Sequence, residues 1–372
     1  MTFSGSYAPA DVTFLLTPLQ LESTPVEEKE RLIQSGRRHY SEMIGVERAP
    51  DATYLGFFEA AMAREGARFA RDVAALALAL AARASCQGRQ GRPGRELVLV
   101  SLARAGTPVG VLLRRALQHL GRRVRHYSIS IIRDRGIDTA ALDLILAEHE
   151  AGDLVFVDGW TGKGAIADEL HASGGAYAAA RGVSLDTSLA VVADLGGCAG
   201  LAATHDDYLI PSSILNAVVS GLVSRTIRAA DASPGALDGC VYYEAMVSAD
   251  RSRWFVDALM APLHAALGDG TLQRARRDEA HSAVLRARSE QMVDDLKRRF
   301  DVTDRNRIKP GIGEATRALL RRVPERLLLQ SAEGVDLEHL RLLAARRGVP
   351  VEIEPALPHR AVTLIRSLGA DS

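Results

Sequence analysis

The stretch DLVFVDGWTGKGAI, residues 153–166, carries the residue types of a phosphate cradle. An apolar run ends at Asp158, a Gly-rich turn follows with Thr161 and Lys163, and a helix-like segment begins. The first amides of a helix have no internal partner and point outward, so such a turn gathers N–H groups, a hydroxyl and an ammonium around an anion. Two nucleotide loops are excluded. The form G-x-x-x-x-G-K-[ST] requires Gly five positions before Gly162 and a hydroxyl after Lys163, where this chain has Val157 and Gly164. The dinucleotide form G-x-G-x-x-G does not occur in the turn either. A tight strand-to-helix turn without a ligand is the alternative, but glycine alone would make that turn and lysine would not be needed.

Charge supports anionic ligands locally rather than globally. The 372-residue chain has a formal net charge of zero, which argues against attachment to nucleic acid by overall charge. Residues 83–135, however, hold twelve Arg against Glu96 and Asp134 alone, and residues 271–330 carry a balance of +6. Such clusters attract anions, or form a solvated Arg-rich surface. Cys86, Cys198 and Cys240 show no CxxC spacing, so neither a disulfide framework nor a structural zinc site is expected. No signal-peptide pattern opens the chain, and the longest apolar run, Val73 to Ala82, is too short to span a bilayer. A cytoplasmic protein with no membrane partner is expected.

The elements that must position these residues alternate. Helical periodicity covers PVEEKERLIQSGRRHYSEMI, with Pro25 at its first turn, and then the stretch from Phe57 to about Ser85. A Gly-rich basic loop, SCQGRQGRPGR at 85–95, follows. ELVLVSL, RVRHYSISII, DLVFVD and SLAVVADL read as strands, separated by helices over TPVGVLLRRALQHL, DTAALDLILAEHE and TGKGAIADELHAS. Apolar strands alternating with helices give a parallel sheet covered on both faces, with ligands beyond the carboxyl ends of the strands. The loops at 102–107, 133–138, 158–164 and 194–213 therefore hold the candidate site. An amphipathic helix around RWFVDALMAPLHAAL and a charged helix over 277–300 lead into a smaller unit from Arg307. That unit reads as helix 312–322, strand RLLLQ, helix DLEHLRLLAARRG, strand PVEIE and helix HRAVTLIRSL.

VFVDGWTGKG resembles the 5-phosphoribosyl diphosphate loop of type I phosphoribosyltransferases. The resemblance implies that Asp158 steadies the ribose, while Thr161, Gly162, Lys163 and Gly164 hold the 5-phosphate at a helix N-terminus. The chain departs from that pattern in three ways. Gly159 leaves one acid where two are usual, the spacing to Thr161 is short, and Gly164 replaces the last hydroxyl. By the same resemblance Arg104, Ala105, Gly106 and Thr107 form a pyrophosphate loop, with Pro108 suited to the first helical position. Arg133 and Arg135 belong to a mobile loop over the site, or face solvent, or pair with Asp134. Asp206, Asp207, Ser212, Ser213 and Asn216 would hold the acceptor, or cap a helix following Pro211. Magnesium is implied as cofactor, held by ligand oxygens and water.

Several longer stretches narrow the match, among them FLLTPLQLESTPVEEKERLIQSGRRHYSEMI, HYSISIIRDRGID and ATHDDYLIPSSILNAVVSGLVSRT. Together they resemble the phosphoribosyltransferase-like StiP family of tellurite-resistance gene clusters, whose two-domain members end in a Pelota-type RNA-binding segment. The fold implied is an α/β type I phosphoribosyltransferase-like parallel sheet over residues 1–265, a helical connector at 266–304, and a small α/β kink-turn-binding-like domain at 305–372. In the last, Gly311, Glu314 and Arg317 match a Gly-x-x-Glu-x-x-Arg helix start, with Arg307 and Lys309 adjacent to touch RNA phosphates. A small packing domain is the alternative. The leading expectation for activity is a phosphoribosyltransferase-like glycosyltransferase that uses phosphoribosyl diphosphate or a related phosphorylated ribose. Two alternatives stand beside it. One is a non-catalytic ribose-phosphate or RNA sensor, favoured by the missing second acid. The other is a cysteine protease, for which DLGGCAGLAATHDDY supplies Cys198 as thiolate, His205 as base, and Asp206 or Asp207 as orienting acid. Cys198 as a small buried residue is the plain reading of the same thiol.

Overall fold

The computed structural model describes residues 3–87, 96–229, 232–233 and 235–368. The basic stretch at 88–95 lies outside the described residues. The N-terminal unit is built on a six-stranded, wholly parallel sheet. Its strands are β1 (Thr13–Phe14), β2 (Leu97–Leu102), β3 (Val124–Ile129), β4 (Leu154–Thr161), β5 (Leu189–Asp194) and β6 (Leu201–Thr204), in the spatial order β1-β3-β2-β4-β5-β6. Continuous apolar runs such as LVLVSL and LAVVAD form the interior strands because both faces are covered. After the short helix α1 (Val26–Gln34), Leu97 and Leu99 of β2 point into the core under α2 (Ala52–Gln87) and α3 (Gly106–His119). Val98 and Val100 point the other way, toward α4 (Thr139–Leu146) and α5 (Ala165–Arg181). The strand β6 lies inside the segment expected to be a loop, where LAAT pairs in parallel with β5 and extends the sheet edge.

The RWFVDALMAPLHAAL stretch is two helices, Ser252–Ala258 and Met260–Gly268, rather than one. The charged segment beyond them is a single 21-residue helix, Glu279–Arg299, called α6 here. Asp278 starts it by accepting the His281 N–H at 3.0 Å.

The C-terminal unit is a four-stranded sheet. Its strands are β7 (Ile308–Pro310), β8 (Pro324–Leu329), β9 (Val351–Ile353) and β10 (Ala361–Ile365), in the order β7-β10-β8-β9. The helix expected over HRAVTLIRSL is corrected by β10, a fully buried strand that pairs antiparallel with both β7 and β8. A short apolar run fits either period, and Val362, Thr363 and Ile365, stiff at χ1, pack well on the pleated surface. Helices α7 (Ile312–Arg321) and α8 (Glu338–Arg346) cover one face of this sheet. On the other face Met292, Val293 and Leu296 of α6 pack against Ile308, Leu328, Val362 and Leu364. The charged helix is thus built into the smaller unit by its own apolar stripe.

The two units share one core, since Ile312, Ala315 and Leu319 of α7 cluster with the residues of the large sheet. Gly313 makes the approach possible. A Cβ there would come within 2.6 Å of the Trp160 indole, so a side chain would force α7 off β4. No helix of the described residues is long and apolar enough to cross a membrane.

Candidate functional site

The loop after β5 holds the thiol. The strand ends at Asp194, a buried carboxylate that accepts the backbone N–H groups of Cys198 (3.0 Å) and Ala199 (2.9 Å) and the hydroxyl of Thr161. These bonds fold residues 195–199 back over the strand end and set the Cys198 side chain against the start of α5. Gly164, at φ +83°, is the residue before that helix, and a Cβ on it would lie 2.5 Å from Cys198 Sγ. Only glycine satisfies both the left-handed backbone and that contact. The thiol donates to the Gly196 carbonyl at 3.0 Å. Arg286 of α6 reaches down beside it, donating to the Gly197 carbonyl at 3.1 Å. Burial, reinforced by the Asp194 charge, pushes the Cys198 thiol up to about 11, against the opposing pull of Arg286. Cys240 is wholly buried, and burial pushes its thiol up to about 12.

His205 lies just past β6, at the same carboxyl edge of the sheet. Its Nδ1 meets the Asp194 backbone carbonyl at 2.9 Å, and its ring stands edge-on to His281 with centroids 4.8 Å apart. A carbonyl only accepts, so Nδ1 carries a proton and donates it there, which leaves Nε2 as the nitrogen that a neutral ring would use as a base. Among the described residues no hydrogen bond joins Cys198 to His205. The two acids expected to orient the histidine go elsewhere. Asp206 pairs with Arg68 at 2.5 Å. Asp207 accepts the N–H of Ile312 at 2.9 Å and of Arg360 at 2.7 Å, and so caps α7 from the other unit. Asp194, which sequence reading passed over as a strand end, is the acid at the centre of the loop.

The residues expected to bind phosphate are redistributed. Thr161 is the last residue of β4 and its hydroxyl belongs to Asp194. Gly162 packs on the Pro310 carbonyl, and Lys163 donates to the carbonyls of Arg305 and, at 2.7 Å, Ile308. Arg104 is held by both oxygens of Glu47 at 2.8 and 3.0 Å and by the Val223 carbonyl at 2.6 Å. Ala105 packs its carbonyl near Gly159, Gly106 abuts the Val157 carbonyl, and Thr107 bonds Ser128 at 2.8 Å inside the core. The 104–107 turn therefore serves packing against β4. Arg135 pairs with Glu42 and donates to the Arg228 carbonyl at 3.0 Å. Ser212 and Ser213 are buried in a single 3-10 turn, so no α-helix follows Pro211 for them to cap. Asn216 lines a separate cavity with Arg48 and Tyr54.

Asp158, Arg133, Lys163, Lys309, Glu314 and Arg317 do come together. They line a cavity of about 350 Å³ between the strand ends of the large sheet and α7. Burial pushes the Asp158 carboxyl up to about 6, against the Gly159 N–H at 2.8 Å and the Arg317 charge. The Arg317 guanidinium lies 4.4 Å over the Trp160 ring. Arg307 is buried under Glu325 and the Ile365 carbonyl, and Gly311 packs on Leu195 and Asp207. The RNA-facing motif expected of the small unit thus points inward at the large sheet. A divalent cation would find two carboxylates lining this cavity, Asp158 of β4 and Glu314 of α7, and among the described residues no cluster of three His, Cys, Asp or Glu that could hold it. It would have to arrive on its ligand's own oxygens.

A family model described as the tellurite-like stress resistance cysteine protease StiP matches residues 5–260. The chain belongs to the StiP family. The cysteine protease StiP of Acinetobacter baylyi (strain ATCC 33305 / BD413 / ADP1) is 44% identical over 384 residues, covering 99% of this chain and 95% of the relative. A PELOTA RNA binding domain model matches residues 287–367. Among solved structures, the hypoxanthine phosphoribosyltransferase of Trypanosoma cruzi is 16% identical over 38% of this chain and 82% of that one, with a TM-score of 0.28. Its complex with the product IMP is 15% identical, covers 48% and 90%, and has the same TM-score. Likeness at that level carries no argument. The expectation of a phosphoribosyltransferase-like glycosyltransferase is corrected by the StiP relative, which is named a cysteine protease and matches this chain along nearly its whole length.

Proposed function

We propose that this StiP-family chain is a cysteine protease whose nucleophile is Cys198 and whose base is His205. The observation that carries the reading is the placement of the Cys198 thiol at the carboxyl edge of the sheet, against Gly164 at the start of α5 and beside Arg286. A helix N-terminus and a guanidinium are the surroundings that favour a thiolate. Cys240, buried inside the fold, offers a substrate no access. His205 Nε2 would take the thiol proton as Sγ attacks the peptide carbonyl, then deliver it to the leaving amine. Its Nδ1–H bond to the Asp194 carbonyl fixes that tautomer.

The closed arrangement is the resting form in this reading. Burial beneath α6 keeps the thiol protonated, and His205 is not yet bonded to it. Cleavage then requires the 195–200 loop and His205 to close on each other when a peptide displaces α6. Incubation of the full chain with casein and fluorogenic peptides tests the assignment. Cleavage should disappear in Cys198→Ala and fall by about two orders of magnitude or more in His205→Ala. Proteolysis that persists in Cys198→Ala would move the nucleophile to another cysteine.

RNA binding by the C-terminal unit is the second component, supported by the PELOTA domain match. Lys309 and Arg317 are the cations of the motif left without structural carbonyl bonds, whereas Arg307 is spent on Ile365 and Glu325. Crosslinking to RNA should weaken with salt and with Arg317→Ala. Undiminished crosslinking in that variant would place the RNA surface elsewhere.

A further inference from the structure

The cavity between the two units has a charge excess that the protease reading does not use. Eight Lys and Arg side chains line it against two acids, Asp158 and Glu314. Four N–H donor atoms of lining residues are buried without a hydrogen-bond partner. They are Trp160 Nε1, Arg317 Nε, and Nε and Nη2 of Arg321. Buried donors ordinarily find acceptors; the nearest carboxylates, Glu47 at 3.6 Å from Arg321 and Glu314 at 3.7 Å from Arg317, stand just beyond hydrogen-bond reach, so the two guanidinium groups retain donors for a ligand.

The cations come from separate elements. Lys163 stands on the turn before α5, Lys309 on β7, and Arg317 and Arg321 one turn apart on α7. Positions i and i+4 share a helix face, so the two guanidinium groups line the cavity side by side. Crowding shows in their titration. Lys163 is pushed down to about 6 by burial and by Lys309, and Lys309 itself to about 8 by burial. An anion among them would reverse both.

Size and shape define the ligand class. At about 350 Å³ the space suits a small molecule and excludes a folded RNA helix. The Trp160 face is covered by Arg317, and the Tyr40 ring has Arg133 and Arg225 each 5.2 Å from its centroid. The rings thus hold arginines rather than stack a base. Paired guanidinium forks with lysines fit phosphate oxygens.

We propose that this cavity binds a phosphate group gripped from both units, by Lys163 on one side and Lys309, Arg317 and Arg321 on the other. The phosphate belongs either to a free nucleotide or to the end of an RNA strand. The inference is independent of the protease assignment. Residues that would meet RNA on an isolated small unit instead form half of an internal site.

Calorimetric titration of the full chain with ADP, and with a four-nucleotide RNA bearing either a 5′-phosphate or a 5′-hydroxyl, tests it. ADP binding, or preference for the phosphorylated over the hydroxyl RNA, supports the proposal. ADP alone identifies a free nucleotide, and RNA alone a strand end. Arg321→Gln should weaken binding about tenfold or more. Lys309→Gln on a different element should do the same, which guards against one variant misfolding, and circular dichroism and melting of the unliganded variants provide the control. No binding of any probe, or affinity unchanged in both variants, overturns the proposal.

Discussion

Cys198 illustrates how surroundings outvote residue type. Free thiols become reactive near positive charge and inert when desolvated, and here both influences meet on one sulfur. Burial dominates and pushes the thiol up to about 11, so it is overwhelmingly protonated at neutral pH. The rate of iodoacetamide labelling of Cys198 in the full chain, followed by peptide mass spectrometry, should therefore climb about tenfold per pH unit from pH 7 toward 10. A rate that levels off near pH 9 would mean the thiol ionises normally. Asp194 is the other decisive residue at this scale. Asp194→Ala orphans the N–H groups of Cys198 and Ala199 together with the Thr161 hydroxyl. It should cost about 2–4 kcal/mol, read from the midpoint of urea unfolding at unchanged m-value.

At the scale of elements, α7 is the joint on which the architecture turns. Its first amide is capped by Asp207, a carboxylate from the other unit, and its second residue is the glycine that admits Trp160. Asp207→Ala leaves the amides of Ile312 and Arg360 unpaired, at about 1–3 kcal/mol each. Those two amides should exchange with deuterium faster, while amides in the middle of β2 keep their protection. Gly313→Val should push α7 away from β4. With Trp254 replaced by Phe, the remaining Trp160 emission should shift to the red as the indole meets water, and an unchanged spectrum would contradict the contact.

The whole molecule is two α/β units closed on each other by paired charges and shared core. Glu30 receives Arg322 through both oxygens, Arg64 meets Asp336 at 2.6 Å, and Gln34 bonds the Arg366 carbonyl and the Leu368 amide. A buried pair stripped of one partner is strongly destabilised, and Glu30 is fully buried. Glu30→Ala combined with Asp207→Ala should loosen the closure and expose Lys309 and Arg317. If those residues meet RNA, crosslinking to the double variant should rise above that of the parent chain. A fall would mean that RNA uses the closed form.

The chain's local patterns determined the parallel sheet by themselves. Apolar runs of strand length between helical periods have few other ways to bury both faces, and β2 to β5 lie where those runs lie. They also placed the charged helix and the resemblance to StiP. Patterns could not decide β10, because a short apolar run is compatible with either period until neighbouring strands claim its hydrogen bonds. Nor could they assign the polar side chains. Thr161 and Lys163 have the types of a phosphate loop, yet one serves Asp194 and the other serves carbonyls more than 140 residues away in sequence. Residue type fixes what a side chain can donate or accept. Which partner satisfies it is decided by the tertiary fold, because buried polar groups bond to whatever the packing of distant segments brings within reach.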